Sequence, residues 1–463
     1  MLNTNLQYQS VNGIETWEFP GDSPYFHWIF QFPFQTYSFP KEHASTIQTA
    51  VESYFHGGIG PYTYGQWSQE LYKTGLKVSL SLNDNENLEL SIKGLKKDIP
   101  LGIKILGYVL NSVDKIKAAD LDLWKRKNLQ NYKLFMNMDE VSSQISLVKW
   151  HLDQLTYGEE SYWSDKFKGT FPSEVSKVSL ENVISLRKRF FSRVGVKFFS
   201  EGLLSTENKK ELIKILNDLL PKNYPLIWMP KKNKETEYDA LILHHPAMKD
   251  QTIVGLQYTF PVQHLNILQK KLFQIALEVF SSSAGAVGDS RFSKAMRKDS
   301  GLSYFAQARC HLGANENQKV LCRLYFQSPT SESPRAIGLA QDAWNTWVDK
   351  GITEEEMENA IRTLTHSYFS WEKTLWEKIA PFIDFAQRNR VLGSTYAGDD
   401  ISFWDSLKDP KEINTNLKEL ADDSLPTAVL VGNISESSFE KTFKKIKTLD
   451  IQSIETEILG DNP

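Results

Sequence analysis

One order of elements is written twice along this chain, and that repetition limits its fold more than any other feature. In the first half, strands are expected at Gly13 to Phe19 and Phe26 to Gln35, where aromatic and β-branched residues run between Pro and Gly punctuation. Ile47, Ala50, Val51, Tyr54 and Phe55 then recur at helical spacing and stop at Gly57-Gly58. A short helix follows near Tyr64 to Lys73. Leu76 to Leu82 and Leu88 to Ile92 alternate around Asn83-Asp84-Asn85, the pattern of a hairpin. Helical segments fill Ile99 to Gln154 and Leu180 to Ser192, and the half closes with a strand at Val194 to Phe199 and a helix at Lys209 to Leu220.

The second half restarts the order. Strands are expected at Ala240 to Leu243 and Thr252 to Phe260, and a helix at His264 to Phe280. A short helix spans Ser290 to Lys298, with a hairpin at Leu302 to Leu312 and Lys319 to Gln327. Long helices follow at Pro334 to Lys350 and Thr353 to Leu392, then a strand at Pro426 to Asn433 and a helix at Ser435 to Ile446. Gly75-Leu76 before the first hairpin and Gly301-Leu302 before the second lie 226 residues apart. A two-copy repeat of that size means paired domains, not a solenoid. Strands followed by runs of helices indicate α+β sandwiches, each a mostly antiparallel sheet covered by helices. The expected division is a first domain over 1–220, a Pro-rich and charged linker over 221–237, and a second domain over 238–463.

Composition narrows the function classes. The 463 residues exceed one ordinary core, and 41% hydrophobic with 24% charged residues is globular composition. A net charge of −4 offers no basic field for nucleic acid or an acidic membrane. No apolar run reaches the ~18 residues of a membrane span. The start, MLNTNLQYQSVNG, shows no basic head before an apolar core, so no signal peptide is visible. The cytoplasm is expected as the sequence stands, and the periplasm if a signal peptide was removed. Cys310 and Cys322 both fall in the second hairpin; one bridge is open to them, but two reduced core thiols are the expectation.

None of the nine histidines forms H-x-x-E-H or H-E-x-x-H, and His244-His245, adjacent on a strand, point to opposite faces. A zinc site made by this chain alone is not expected, and no phosphate-binding or serine-nucleophile motif occurs. The informative stretch is Asp289 to Ala308. Phe292, Ala295 and Met296 form the stripe of a short helix, Arg297 sits in its last turn, and Gly301 ends it. Tyr304 is expected just inside the next strand. Read from the residues alone, Arg297 complements a helix C-terminus and Tyr304 packs.

Arg297 followed by Gly301-Leu302-Ser303-Tyr304 resembles the second-domain signature of the pitrilysin/insulinase clan of zinc metallopeptidases, which includes processing peptidases. Tyr157-Gly158-Glu159-Glu160-Ser161-Tyr162, with Gly169-Thr170 after it, resembles another mark of the clan. Gly351-Ile352-Thr353-Glu354-Glu355-Glu356 resembles the start of its long helix. Active members carry H-x-x-E-H on the first main helix. The glycine stop puts Gln48 and Glu52 at the two His positions here and Val51 at the Glu position. The third ligand would fall in Trp124 to Leu129, which holds no carboxylate.

The resemblance implies a pseudo-peptidase with no cofactor of its own. Its partner would be a homologous zinc-bearing H-x-x-E-H subunit in a heterodimer, and its substrates unfolded peptides. Arg297 and Tyr304 would be the catalytic residues it lends, donating hydrogen bonds to a substrate carbonyl and its oxyanion at the zinc of the partner. The peptide would lie as an added strand along a sheet edge. Two other readings stay open: an inert structural or peptide-binding subunit, and the C-terminal half of a longer single-chain peptidase.

Overall fold

The computed structural model describes residues 7–11, 13–19, 24–33, 44–82, 87–135, 141–157, 168–222, 238–261, 265–281, 290–303, 305–312, 319–369, 403–421 and 424–459. Two compact units emerge. One comprises Met1–Leu134, Glu160–Lys232 and Ile458–Pro463; the other comprises Phe135–Glu159 and Asn233–Glu457.

The first unit is built on a six-stranded sheet. Its strands are β1 (Gln7–Val11), β2 (Ile14–Phe19), β3 (Tyr25–Pro33), β4 (Lys77–Leu82), β5 (Asn87–Leu95) and β6 (Lys197–Glu201), in the order β1-β2-β6-β3-β5-β4. Only β2 and β6 run parallel. Alternation along β3 sends Phe26, Trp28, Phe30 and Phe32 to one face, where all are buried. There they meet Phe198 and Phe191, with the Phe30 and Phe198 rings stacked at 4.7 Å. Helices α1 (Ala44–Glu52), α2 (Tyr64–Thr74), α3 (Ile99–Leu110) and α4 (Ala118–Phe135) contribute to this core.

The second sheet repeats the plan. Its strands are β7 (Ala240–His244), β8 (Gln251–Pro261), β9 (Ala306–Leu312), β10 (Lys319–Pro329), β11 (Thr427–Gly432) and β12 (Ile446–Asp450), in the order β12-β7-β11-β8-β10-β9. The run β7-β11-β8-β10-β9 reproduces β2-β6-β3-β5-β4 strand for strand, the repeat read from the sequence. Its core is aromatic: Tyr258 stacks on Trp344 at 3.8 Å, and Phe280 and Trp347 close around them. The two sheets with their covering helices bear out the α+β sandwich class.

A cut at residue 220 would leave α5 (Val141–Tyr157) with the first unit, yet this helix packs across β8 and β11 of the second. Gly255 of β8 makes room for it; a Cβ there would lie 2.3 Å from Val148. A polar cluster then fixes the helix. Arg323 donates to Gln257 (2.7 Å) and pairs with Asp153 (2.7 Å), and Thr156 donates to Gln257 (2.9 Å).

Three expectations are corrected. The helix read at Ser435 to Ile446 is a 3-10 turn at Glu436–Ser438 followed by β12 and then a helix at Ile451–Leu459. Phe439 and Phe443 have helical spacing and are buried, but the polar chain between them turns, and β12 gains a parallel ladder on β7. Cys310 and Cys322 are not reduced thiols; they are disulfide-bonded. They face each other directly across β9 and β10 with Cα atoms 4.0 Å apart, the close pairing of an antiparallel ladder. Third, the second hairpin begins at Ala306, not Leu302. Most of the linker expected over 221–237 lies outside the described residues, as does the part of the long helix expected over 370–392.

Candidate functional site

Helix α1 holds Gln48, Val51 and Glu52, the positions that the resemblance sets against the metal motif of the clan. Ile47, Ala50 and Val51 face inward and are buried, as their spacing required. Gln48 and Glu52, one helical turn apart, share a hydrogen bond from the Gln48 amide to the Glu52 carboxylate. Val51 is buried against the core and offers no base. The helix is fixed at both ends. Gly169 lies against its start, where a Cβ would sit 2.9 Å from the Ala44 carbonyl carbon. At its other end the fully buried Arg187 donates from Nε to the Ala50 carbonyl (3.0 Å) and from Nη2 to Ser53 Oγ (2.8 Å). Its guanidinium lies 4.9 Å from the Tyr54 ring centroid. Burial pulls the Arg187 pKa down to about 10, with Tyr54 opposing.

The segment where a third ligand would fall serves the fold. Trp124 is buried, and Lys125 donates to the Val178 carbonyl (2.7 Å) and the Ser176 carbonyl (3.2 Å). Among the described residues no three His, Cys, Asp or Glu side chains converge as a metal site. His27 meets Ser91 at 2.8 Å and His151 meets Gln154 at 2.9 Å, both as buried core histidines. The donor set at α1, an amide and one carboxylate, does not suit zinc.

In the second unit the short helix is a three-residue α-turn, Arg291–Ser293, that widens to π spacing over Lys294–Asp299. Arg297 is half-buried in the wide turn. Such turns are uncommon and gather at functional sites. Gly301 ends it at φ +65°, a left-handed conformation. Ser303 then ties the segment back: its N–H donates to the Met296 carbonyl (3.2 Å), and its Oγ accepts from Gln327 N–H (3.3 Å). Phe305 also accepts from Gln327 N–H (3.1 Å), and the chain passes into β9, an edge strand. The turn that carries Arg297 is thus tied by its next residues to the chain entering a sheet edge. Tyr304 lies outside the described residues, as do Gly158 to Tyr162 of the Tyr-Gly segment.

Sequence reasoning did not assign a role to Arg291. Its guanidinium makes two hydrogen bonds to Glu356, at 2.6 and 2.5 Å. Glu356 is the last glutamate of the Gly-Ile-Thr-Glu-Glu-Glu run, and it also accepts from Thr353 N–H (2.8 Å). The Thr353–Glu356 spacing is a capping signature that could have been read from the sequence; its tie to Arg291, 65 residues away, could not.

The chain thus carries two repeated mixed sheets, a first helix without imidazoles and an arginine on a wide turn before an edge strand. Residues 177–364, less than half of the chain, match the family described as peptidase M16 inactive domain, and this span includes Arg297 and Gly301 to Tyr304. Among solved structures, the fold matches the periplasmic protease PqqL from Escherichia coli with TM-score 0.75 and 13% identity, over 94% of this chain and 46% of that one. It matches a peptidase M16 inactive domain from Pseudomonas fluorescens with TM-score 0.71 and 15% identity, over 93% and 98% of the two chains. A protease from Helicobacter pylori gives TM-score 0.73 and 10% identity, over 93% and 99%. Identities this low establish the shared fold alone. No curated protein sequence matches the chain.

Proposed function

We propose that this chain is the non-zinc-binding subunit of a heteromeric zinc metallopeptidase, lending Arg297 and Tyr304 to the active site of a homologous H-x-x-E-H partner. One contrast carries the reading. The metal positions of α1 hold Gln48, Val51 and Glu52, while the arginine survives in the second unit on a π turn tied by Ser303. A guanidinium and a phenol there would donate to the carbonyl of the scissile peptide. They would hold the oxyanion as the partner's zinc activates water. The substrate would be unfolded peptide, engaged through its backbone as an added strand. The Cys310–Cys322 disulfide favours an oxidising compartment such as the periplasm.

The test pairs this chain with a homologue bearing H-x-x-E-H and follows cleavage of an unstructured peptide, with and without chelator. Chelator-sensitive cleavage that needs both chains supports the reading. Full activity of the zinc chain alone overturns it.

A second reading has an observation of its own. This chain spans 46% of PqqL, so it would also fit as one half of a longer single-chain peptidase. The residue roles would be the same, with the zinc supplied in cis.

A further inference from the structure

The turn that carries Arg297 is held from both sides. On the upstream side Ser290 caps the short helix by accepting from Ser293 N–H (3.1 Å). Arg291, the next residue, is gripped by both carboxylate oxygens of Glu356. Glu356 is itself anchored. It accepts from Thr353 N–H (2.8 Å), and its own N–H donates to Thr353 Oγ1 (3.2 Å). Asn414 fixes the residue before Thr353, accepting from Ile352 N–H (2.7 Å) and donating to the Ile352 carbonyl (3.0 Å). On the downstream side the Met296 carbonyl accepts from Ser300 Oγ (2.9 Å) and from Ser303 N–H (3.2 Å).

Between these anchors lie six residues at π spacing. That spacing is not favoured by local propensity and persists where tertiary contacts impose it. A return to α spacing would turn every side chain after Lys294, Arg297 included, to a new angle about the helix axis. A two-pronged guanidinium–carboxylate pair fixes direction as well as distance, which a lysine in the same place would not.

We propose that Glu356 is a positioning residue for Arg297: by clamping Arg291 it sets the start of the wide turn and so the direction in which the Arg297 guanidinium leaves it. This rests on the reading that Arg297 serves a zinc site. It gives a use to the glutamate run at the start of the long helix, which sequence resemblance marks without explaining.

The experiment has two arms, both on the full chain. In the first, amide hydrogen exchange over Lys294 to Ser303 is compared among wild type, the near-isosteric Glu356→Gln, Arg291→Lys, and the reversed pair Arg291→Glu with Glu356→Arg. The single variants should speed exchange in this segment at least tenfold and leave β8 and β10 unchanged, while the reversed pair, which remakes the ion pair but not the bond from Thr353 N–H, restores part of the protection. In the second, each variant is paired with the H-x-x-E-H homologue and peptide cleavage is followed. The single variants should lower kcat more than they move KM, and the reversed pair should recover part of it. Unchanged exchange overturns the clamp. Faster exchange with unchanged kcat overturns the positioning role and, if Arg297→Ala still lowers kcat, leaves the proposed function intact. An Arg297→Ala variant with full kcat removes both.

Discussion

At the scale of single residues, the buried polar groups of this protein are fitted to the fold, and each gives a measurable consequence. Arg187 is fully buried and holds the C-terminal end of α1 through the Ala50 carbonyl and Ser53 Oγ. Arg187→Met keeps most of the volume but leaves that carbonyl without its donor, so the first unit should lose ~2 to 3 kcal/mol in urea unfolding. His27 and His151 are each lowered from 6.5 to about 4, in both cases by burial first, with Lys93 and Lys447 adding to it and Gln154 opposing it at His151. Both are neutral, folded or unfolded, above pH 6.5. As the pH falls from there to about 4, the unfolded chain takes up protons that the fold refuses. Each histidine should therefore remove about 1.4 kcal/mol of stability per pH unit, levelling off below about 4. Thermal melts across pH 4 to 7 read this slope, and His27→Gln should flatten the part that belongs to the first unit.

At the scale of elements, the disulfide is the feature that reading the chain mistook. Both cysteines were legible as hairpin residues. Their pairing depended on register, which places Cys322 directly opposite Cys310 on edge strand β9. Closing so short a loop restrains the unfolded chain. Reduction, or Cys310→Ser with Cys322→Ser, should therefore lower the stability of the second unit by ~2 to 3 kcal/mol and expose β9 amides to exchange. Denaturation with and without a dithiol checks this. Elements with strong periodicity were legible, among them the core-facing stripe of β3, the buried stripe of α1 and the pairing of both hairpins, although α1 ends at Glu52 and the glycine stop closes a separate 3-10 turn at Tyr54–Gly57. Elements decided by distant contacts were not. β12 forms because β7 offers a parallel ladder, and the turn at Lys294–Asp299 widens between ties made by Glu356 and Ser303. Helix α5 is legible only as one of the helical segments filling Ile99 to Gln154, and nothing local reveals that Gly255 and Arg323 of the second unit receive it.

At the scale of the whole molecule, the repeat decides the fold, and the side chains on α1 bear on the proposed function. The same sheet order appears in both units, yet their side chains differ: no imidazole on α1, and an arginine on a turn held from both sides in the second unit. The purified chain should therefore retain less than a tenth of an equivalent of zinc after dialysis, measured by atomic emission, and adding zinc should not raise its melting temperature. A stoichiometric metal would mean that side chains other than those of α1 bind it. The absence of an H-x-x-E-H motif could be read directly from the sequence, because ligand spacing on one helix face is a local property. The role proposed for Arg297 could not, because it would depend on a zinc site outside this domain pair. The most direct measurement is the kcat of peptide cleavage by this chain paired with an H-x-x-E-H homologue, the partner proposed above, comparing wild type with Arg297→Ala at equal complex formation. The account predicts a fall of at least ~100-fold with the complex intact, the scale of losing one oxyanion donor; an unchanged kcat would contradict it.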